Sequence, residues 1–123
     1  MARADCGPIE RILNATRYSW NGLREGWRTQ PALRYEFMIL LFAVPVGWLI
    51  GSTGVERALL IASCLQVVVV ELINSAIETV VDRIGSERHD LSGLAKDLGS
   101  AAVFCTIVLA VAVWLIICVS RTA

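Results

Sequence analysis

Between Pro8 and Arg28 the apolar positions Ile9, Ile12, Leu13, Trp20, Leu23 and Trp27, with Thr16 among them, recur at steps of three and four. That spacing gathers them on one face of an α-helix. Arg11, Asn14, Arg17, Asn21, Arg24, Glu25 and Arg28 lie mostly elsewhere around it. Pro8 suits the first turn, where its missing N–H would have no partner anyway. Tryptophan on one face and arginine on the other predict a helix of about residues 8–28 lying in a membrane interface. The alternative is a helix packed on a soluble core, but no other segment supplies such a core.

Three long apolar stretches follow. The first, about 33–51, is the least regular: its strongly apolar part, Phe37–Gly51, is shorter than the roughly 20 residues that cross a bilayer, and Pro45 interrupts it. A membrane helix tolerates proline when its neighbours satisfy the freed carbonyl. A short turn, Gly51-Ser52-Thr53-Gly54, leads to a second span at about 58–81. A polar connection runs from Asp82 to about Lys96, with Gly85, Ser86 and Gly93 within it. The third span, about 99–120, is the cleanest. The pattern predicts an all-α membrane protein: three transmembrane helices plus an N-terminal amphipathic surface helix, in a single domain over residues 1–123.

Composition agrees with the bilayer as solvent. Of 123 residues, 56% are hydrophobic and 18% charged, more apolar than a soluble domain of this size could hide. Eleven basic and eleven acidic residues cancel, so no global field argues for nucleic acid. The positive charge is nevertheless uneven. Arg3, Arg11, Arg17, Arg24, Arg28 and Arg34 precede the strongly apolar part of the first span, and Arg83, Arg88 and Lys96 lie in the second connection, against Arg57 and Arg121 on the other side. The positive-inside rule then predicts a cytoplasmic N-terminus and an external C-terminus. No early apolar run follows the start, so a retained N-terminus is expected. Cys6, Cys64, Cys105 and Cys118 show no CxxC spacing, and three lie in apolar runs. They read as small buried hydrophobes rather than as a disulfide or zinc framework.

The second span carries the candidate chemistry. Glu71, Asn74 and Glu78 fall at i, i+3 and i+7, within about 60° of arc, and Asp82 continues the stripe. A carboxylate within a spanning helix costs about 2.5–3.5 kcal/mol on insertion scales. A polar seam that glues helices returns about 1 kcal/mol per contact. That seam is the alternative; two carboxylates and an amide on one stripe read first as a functional site. Beyond it come Glu87, His89 and Asp90, then Lys96 and Asp97, with Ser100 one turn on. Lys96 can neutralise phosphate oxygens, and the acids can hold magnesium through oxygen. His89 alone is as well read as an interfacial hydrogen-bonder. There is no Walker GxxxxGK[ST] and no HRD or DFG set, so nucleotide chemistry here needs another kind of site.

The run Glu71-Leu-Ile-Asn74-Ser-Ala-Ile-Glu78-Thr-Val-Val-Asp82-Arg-Ile-Gly85-Ser-Glu87-Arg-His89, continuing through Gly93, Lys96-Asp97 and Ser100, closely resembles the signature of the prokaryotic diacylglycerol kinases. Tyr18-Ser19-Trp20-Asn-Gly-Leu-Arg24 is similar to that family's surface helix. The resemblance implies a homotrimer in the bacterial inner membrane that moves the γ-phosphoryl group of Mg-ATP to the hydroxyl of diacylglycerol, giving phosphatidic acid. By matching position it implies Glu71 as general base with Asn74 beside it, and Glu78 as ligand of Mg2+. It also implies Arg11, Tyr18, Glu87, His89, Lys96 and Asp97 as ATP contacts. Arg11, Ser19, Trp20, Arg24, Trp27, Arg34, Glu36, Glu71 and Ser100 would line the lipid site. One position departs from the pattern: where the family usually has a metal-binding glutamate this chain has Gln30, whose amide oxygen can ligate magnesium and contact ATP but brings no charge.

Two other readings compete. Undecaprenol kinases share the architecture and much of the Glu-x-x-Asn-x-x-x-Glu stripe, although Asp82–Gly85 and His89–Gly93 look more like the diacylglycerol branch. A non-enzymatic membrane subunit or small transporter would use the stripe for helix association and consume no ATP.

Overall fold

Prolines set the first two helices of the chain. In the computed structural model, which describes residues 7–85 and 87–122, α1 spans Pro8–Thr29 with Pro8 in its first turn and Gly7 as N-cap. Pro31 forces the residue before it out of the helical region, and Gln30 is extended at φ −110° and ψ 103°. One residue therefore separates α1 from α2, Pro31–Ile50, and Gln30 caps both. Arg3, Cys6 and Ser86, used in the sequence reading, lie outside the described residues.

The first span is longer than its apolar part suggested. α2 has 20 residues and continues through Pro45, so Arg34 and Glu36 belong to the helix rather than to a connection. α3 spans Gly54–Ile84, earlier in its start than the expected 58. Its N-terminus is fixed by a capping box: the Glu56 N–H donates to Thr53 Oγ1 at 3.2 Å, and the N–H groups of Thr53 and Ser52 donate to Glu56 Oε2 at 3.4 and 2.7 Å. α4 spans Asp90–Thr122. The polar connection expected over 82–96 is thus corrected to residues 85–89, because 90–96 are polar yet helical. The three helices α2, α3 and α4 are each long and apolar enough to cross a membrane.

α3 is the central helix, with α2 and α4 packed against it. Gly47 lets all three approach: a Cβ there would stand 3.2 Å from Leu60 Cβ and 3.7 Å from Trp114 Cζ2. Trp114 Nε1 donates to the Leu60 carbonyl at 3.2 Å, tying α4 to α3. Leu33, Ala43, Leu60, Val68, Ala110 and Ile117 are buried along these seams, while Phe42, Leu49, Phe104 and Leu115 face outward. In a bilayer those outward faces meet lipid. The described cysteines are not the buried hydrophobes expected: Cys105 is exposed and Cys64 and Cys118 are half-buried. They line lipid-facing or groove surfaces of this chain, where a thiol costs no more than a small hydrophobe.

At the far rim, basic groups gather where α2 ends. Arg57 Nε donates to the Gly51 carbonyl at 3.0 Å and its guanidinium lies 4.8 Å from the Trp48 ring centre. Arg121 donates to the Ile50 carbonyl. Cations at a helix C-terminus satisfy the last carbonyls and oppose the negative end of the dipole.

Candidate active site on the central helix

Leu33, fully buried, fixes the corner at which α1 meets the bundle. A Cβ on Gly26 would stand 2.9 Å from Leu33 Cδ1 and 3.8 Å from Leu72 Cδ2, so the α1–α2 corner sits beside α3 at the level of Glu71. Trp27 and Phe37 reinforce it, with ring centres 6.0 Å apart. One turn along α2, Glu36 is half-buried and electrostatically adjacent to Glu71, which in turn neighbours Glu78. Carboxylates of α2 and α3 thus interact electrostatically, without three of them closing into one cluster among the described residues.

Within α3 the stripe folds as its spacing predicts. Glu71 and Asn74 are buried, at 7% and 6% exposure, and Asn74 Nδ2 donates to Glu78 Oε1 at 3.2 Å. The Asn74 oxygen is buried with no hydrogen-bond partner, and the same holds for Glu36 Oε2 and Ser75 Oγ. Gly99 of α4 explains how the amide fits: a Cβ at 99 would collide with Asn74 Oδ1. α4 therefore offers a notch for the carboxamide. The sequence reading passed over Gly99; a glycine one turn beyond Lys96, at the start of an apolar span, was the available signal for close helix approach.

Lys96 stands on the polar turns of α4 ahead of the apolar stretch. Its Nζ donates to Asp82 Oδ1 at 2.6 Å, and Glu78 is a further electrostatic neighbour. The hydrogen bond to Asp82 holds the Lys96 pKa above its ordinary value. Both partners are substantially exposed, so the pair is weak and Lys96 can change partner at little cost. His89 begins α4: its Nδ1 accepts from the Leu91 N–H at 3.2 Å, which leaves Nε2 for other contacts. His89, Gly93 and Asp97 border a shallow pocket of about 490 Å³.

Other candidate residues are placed but not gathered. Arg11, Tyr18, Ser19, Trp20, Arg24 and Trp27 are exposed on α1; Arg34, Glu87, Asp97 and Ser100 are exposed, and Gln30 is half-buried at the corner. An apolar groove of about 650 Å³ starts at Glu36 and runs between α2, α3 and α4 along Ala43, Val46, Val67 and Ala110 to Trp114.

No group of three or more His, Cys, Asp or Glu side chains close enough to cage a metal occurs among the described residues. Magnesium does not require one, since it is commonly held by one or two carboxylates together with substrate phosphates. The half-buried carboxylate of Glu78, beside Asn74, is a hard oxygen donor, so the residues present fit such an ion.

Three spanning helices, an interfacial helix and a carboxylate–amide site at one end of the bundle define a small membrane-embedded enzyme of a kind that owes nothing to soluble nucleotide folds. A family model described as prokaryotic diacylglycerol kinase matches residues 17–118. The chain is 50% identical over 107 residues to the diacylglycerol kinase of Escherichia coli K12, covering 87% of this chain and 88% of that protein. The Pseudomonas aeruginosa and Haemophilus influenzae diacylglycerol kinases are 45% and 44% identical over 106 residues, covering 86% of this chain and 86% and 90% of theirs. The chain belongs to the prokaryotic diacylglycerol kinase family and is a kinase.

Proposed function

We propose that this protein phosphorylates the free hydroxyl of diacylglycerol with ATP, giving phosphatidic acid, and that Glu71 is the general base. The observation that carries the reading is the adjacency of Glu36, Glu71, Asn74 and Glu78 at one end of the spanning bundle, with buried oxygens left unpartnered. Buried polar atoms without partners are rare and call for a reason. Binding of polar substrate groups supplies one. The apolar groove that opens at Glu36 suits an acyl chain, and its polar end suits the glycerol headgroup.

A lipid hydroxyl is a weak nucleophile at neutral pH. A carboxylate within hydrogen-bond reach removes its proton as it attacks, an effect worth about 10²–10⁴-fold. This role is assigned to Glu71, with Asn74 orienting its neighbour Glu78 through their hydrogen bond. Lys96, released from Asp82, meets the phosphate oxygens, while Arg11, Tyr18, Glu87, His89 and Asp97 contact the rest of ATP. Ser19, Trp20, Arg24, Trp27, Arg34 and Ser100 flank the lipid. Glu78 and Gln30 would hold Mg2+, which when bound neutralises phosphate charge. The whole chain acts as one domain, assembles as a homotrimer in the bacterial inner membrane, and keeps its N-terminus in the cytoplasm. A reporter fused at the C-terminus should accordingly respond as external and one at the N-terminus as cytoplasmic; a cytoplasmic C-terminus would overturn that topology.

The purified chain, given labelled ATP with diacylglycerol or undecaprenol in identical vesicles, should label diacylglycerol by far the faster. Preferential labelling of undecaprenol would move the assignment to the sister activity. Labelling of neither by folded protein would remove it.

A further inference from the structure

The four-helix arrangement leaves three arginines of α1 unused by the site just described or only partly so, and they share one flank. Gly26 is the residue of α1 that meets Leu33 and Leu72. At about 100° per residue, Arg17 stands about 180° around the helix from Gly26, and Arg24 and Arg28 about 160°. All three are exposed. Arg17 and Arg24 have no ion pair among the described residues, and Arg28 has a 3.5 Å contact with the equally exposed Glu25. Glu10 shares the flank at the first turn, leaving the row net positive. By contrast Ser19 falls about 20° from Gly26, on the side of the bundle.

The same three arginines border the apolar face. They lie within about 80° of Trp20 on the helical wheel. Trp20 is 68% exposed, and tryptophan settles at the headgroup level of a bilayer. With Trp20 turned into the interface, guanidinium groups at that angle extend to the phosphate layer on the side away from the protein. The ligand of Arg17 and Arg28, which the site does not use, is then bulk lipid and not substrate.

We propose that Arg17 and Arg28 form a docking row for anionic phospholipid headgroups, so that α1 lies down more firmly on a negatively charged leaflet than on a neutral one. The inference rests on the interfacial placement of α1 and not on the phosphoryl-transfer chemistry. The occupant is a monoanionic bulk phospholipid such as phosphatidylglycerol. A basic side chain near an anionic surface favours binding by about fivefold, and salt weakens the attraction because screening sets in over about 10 Å at 0.1 M.

Amide hydrogen exchange of the full chain, without ATP so that no product forms, tests the row. Vesicles of phosphatidylcholine alone are compared with equal parts phosphatidylcholine and phosphatidylglycerol. Protection of residues 8–29 should rise in the anionic vesicles, and added salt should reverse the gain. Arg17→Gln with Arg28→Gln should reduce it by about fivefold for each arginine removed, whereas Arg17→Lys with Arg28→Lys should retain it. Exchange in α3 and α4 should be the same in every variant and so reports intact folding. Protection of α1 that is indifferent to lipid charge, or unchanged by the two glutamines, would overturn the proposal. Loss of the response in the lysine variant as well would assign these positions to packing instead, and overturn it equally.

Discussion

Asn74 donates to Glu78 and turns its oxygen toward Gly99; Asp at the same position would lack the N–H donor, and Leu would lack both groups. The helical spacing of Glu71, Asn74 and Glu78 made the stripe legible in the sequence, because period alone fixes which residues share a face. Partners on other helices were not legible. The Lys96–Asp82 ion pair joins residues 14 apart across the α3–α4 turn, and it depends on where α4 starts. At Gln30 the extended backbone followed from Pro31, while the neutral side chain predicts a chemical consequence. On the proposed metal role of Gln30, Gln30→Glu would supply a charged oxygen ligand and should lower, severalfold, the magnesium concentration giving half-maximal rate. Glu25→Gln should leave that concentration unchanged, since Glu25 makes an exposed 3.5 Å contact with Arg28 of a type worth about 0–1 kcal/mol. Titration of the rate with magnesium in the two variants checks both.

Among the elements, the helices themselves were readable and their ends were not. Thr53-x-x-Glu56 ahead of an apolar run is a capping-box signature, and attention to it would have started α3 at Gly54. The start of α4 was hidden because Asp90, Lys96 and Asp97 look like loop residues, yet charged residues are good company for the first turns of a helix that emerges from the membrane. The crossing of α3 and α4 near Gly99 is the contact on which the site depends most. Gly99→Ala should push the Asn74 carboxamide aside and disturb Glu78, lowering turnover by up to about a hundredfold, the scale of a 1 Å misplacement. Thermal stability should fall far less than activity, and Gly93→Ala, whose Cβ would meet nothing within 4 Å, should change neither. Turnover and melting temperature measured on both variants separate a positioning effect from general loosening.

At the scale of the whole molecule, apolar content and three long runs announced a membrane protein, and the fold has three helices long and apolar enough to cross one among the described residues. What joins these levels is a buried carboxylate that a membrane helix would not carry without use. The direct measurement is γ-phosphoryl transfer to diacylglycerol by Glu71→Gln, made beside ATP binding and assembly size for the same sample. A glutamine fills the same buried volume, so the assembly should persist and ATP affinity should stay close to that of the original chain. The account predicts a rate lower by about 10²–10⁴-fold. A folded, ATP-binding Glu71→Gln protein that turns over at nearly the original rate would contradict it.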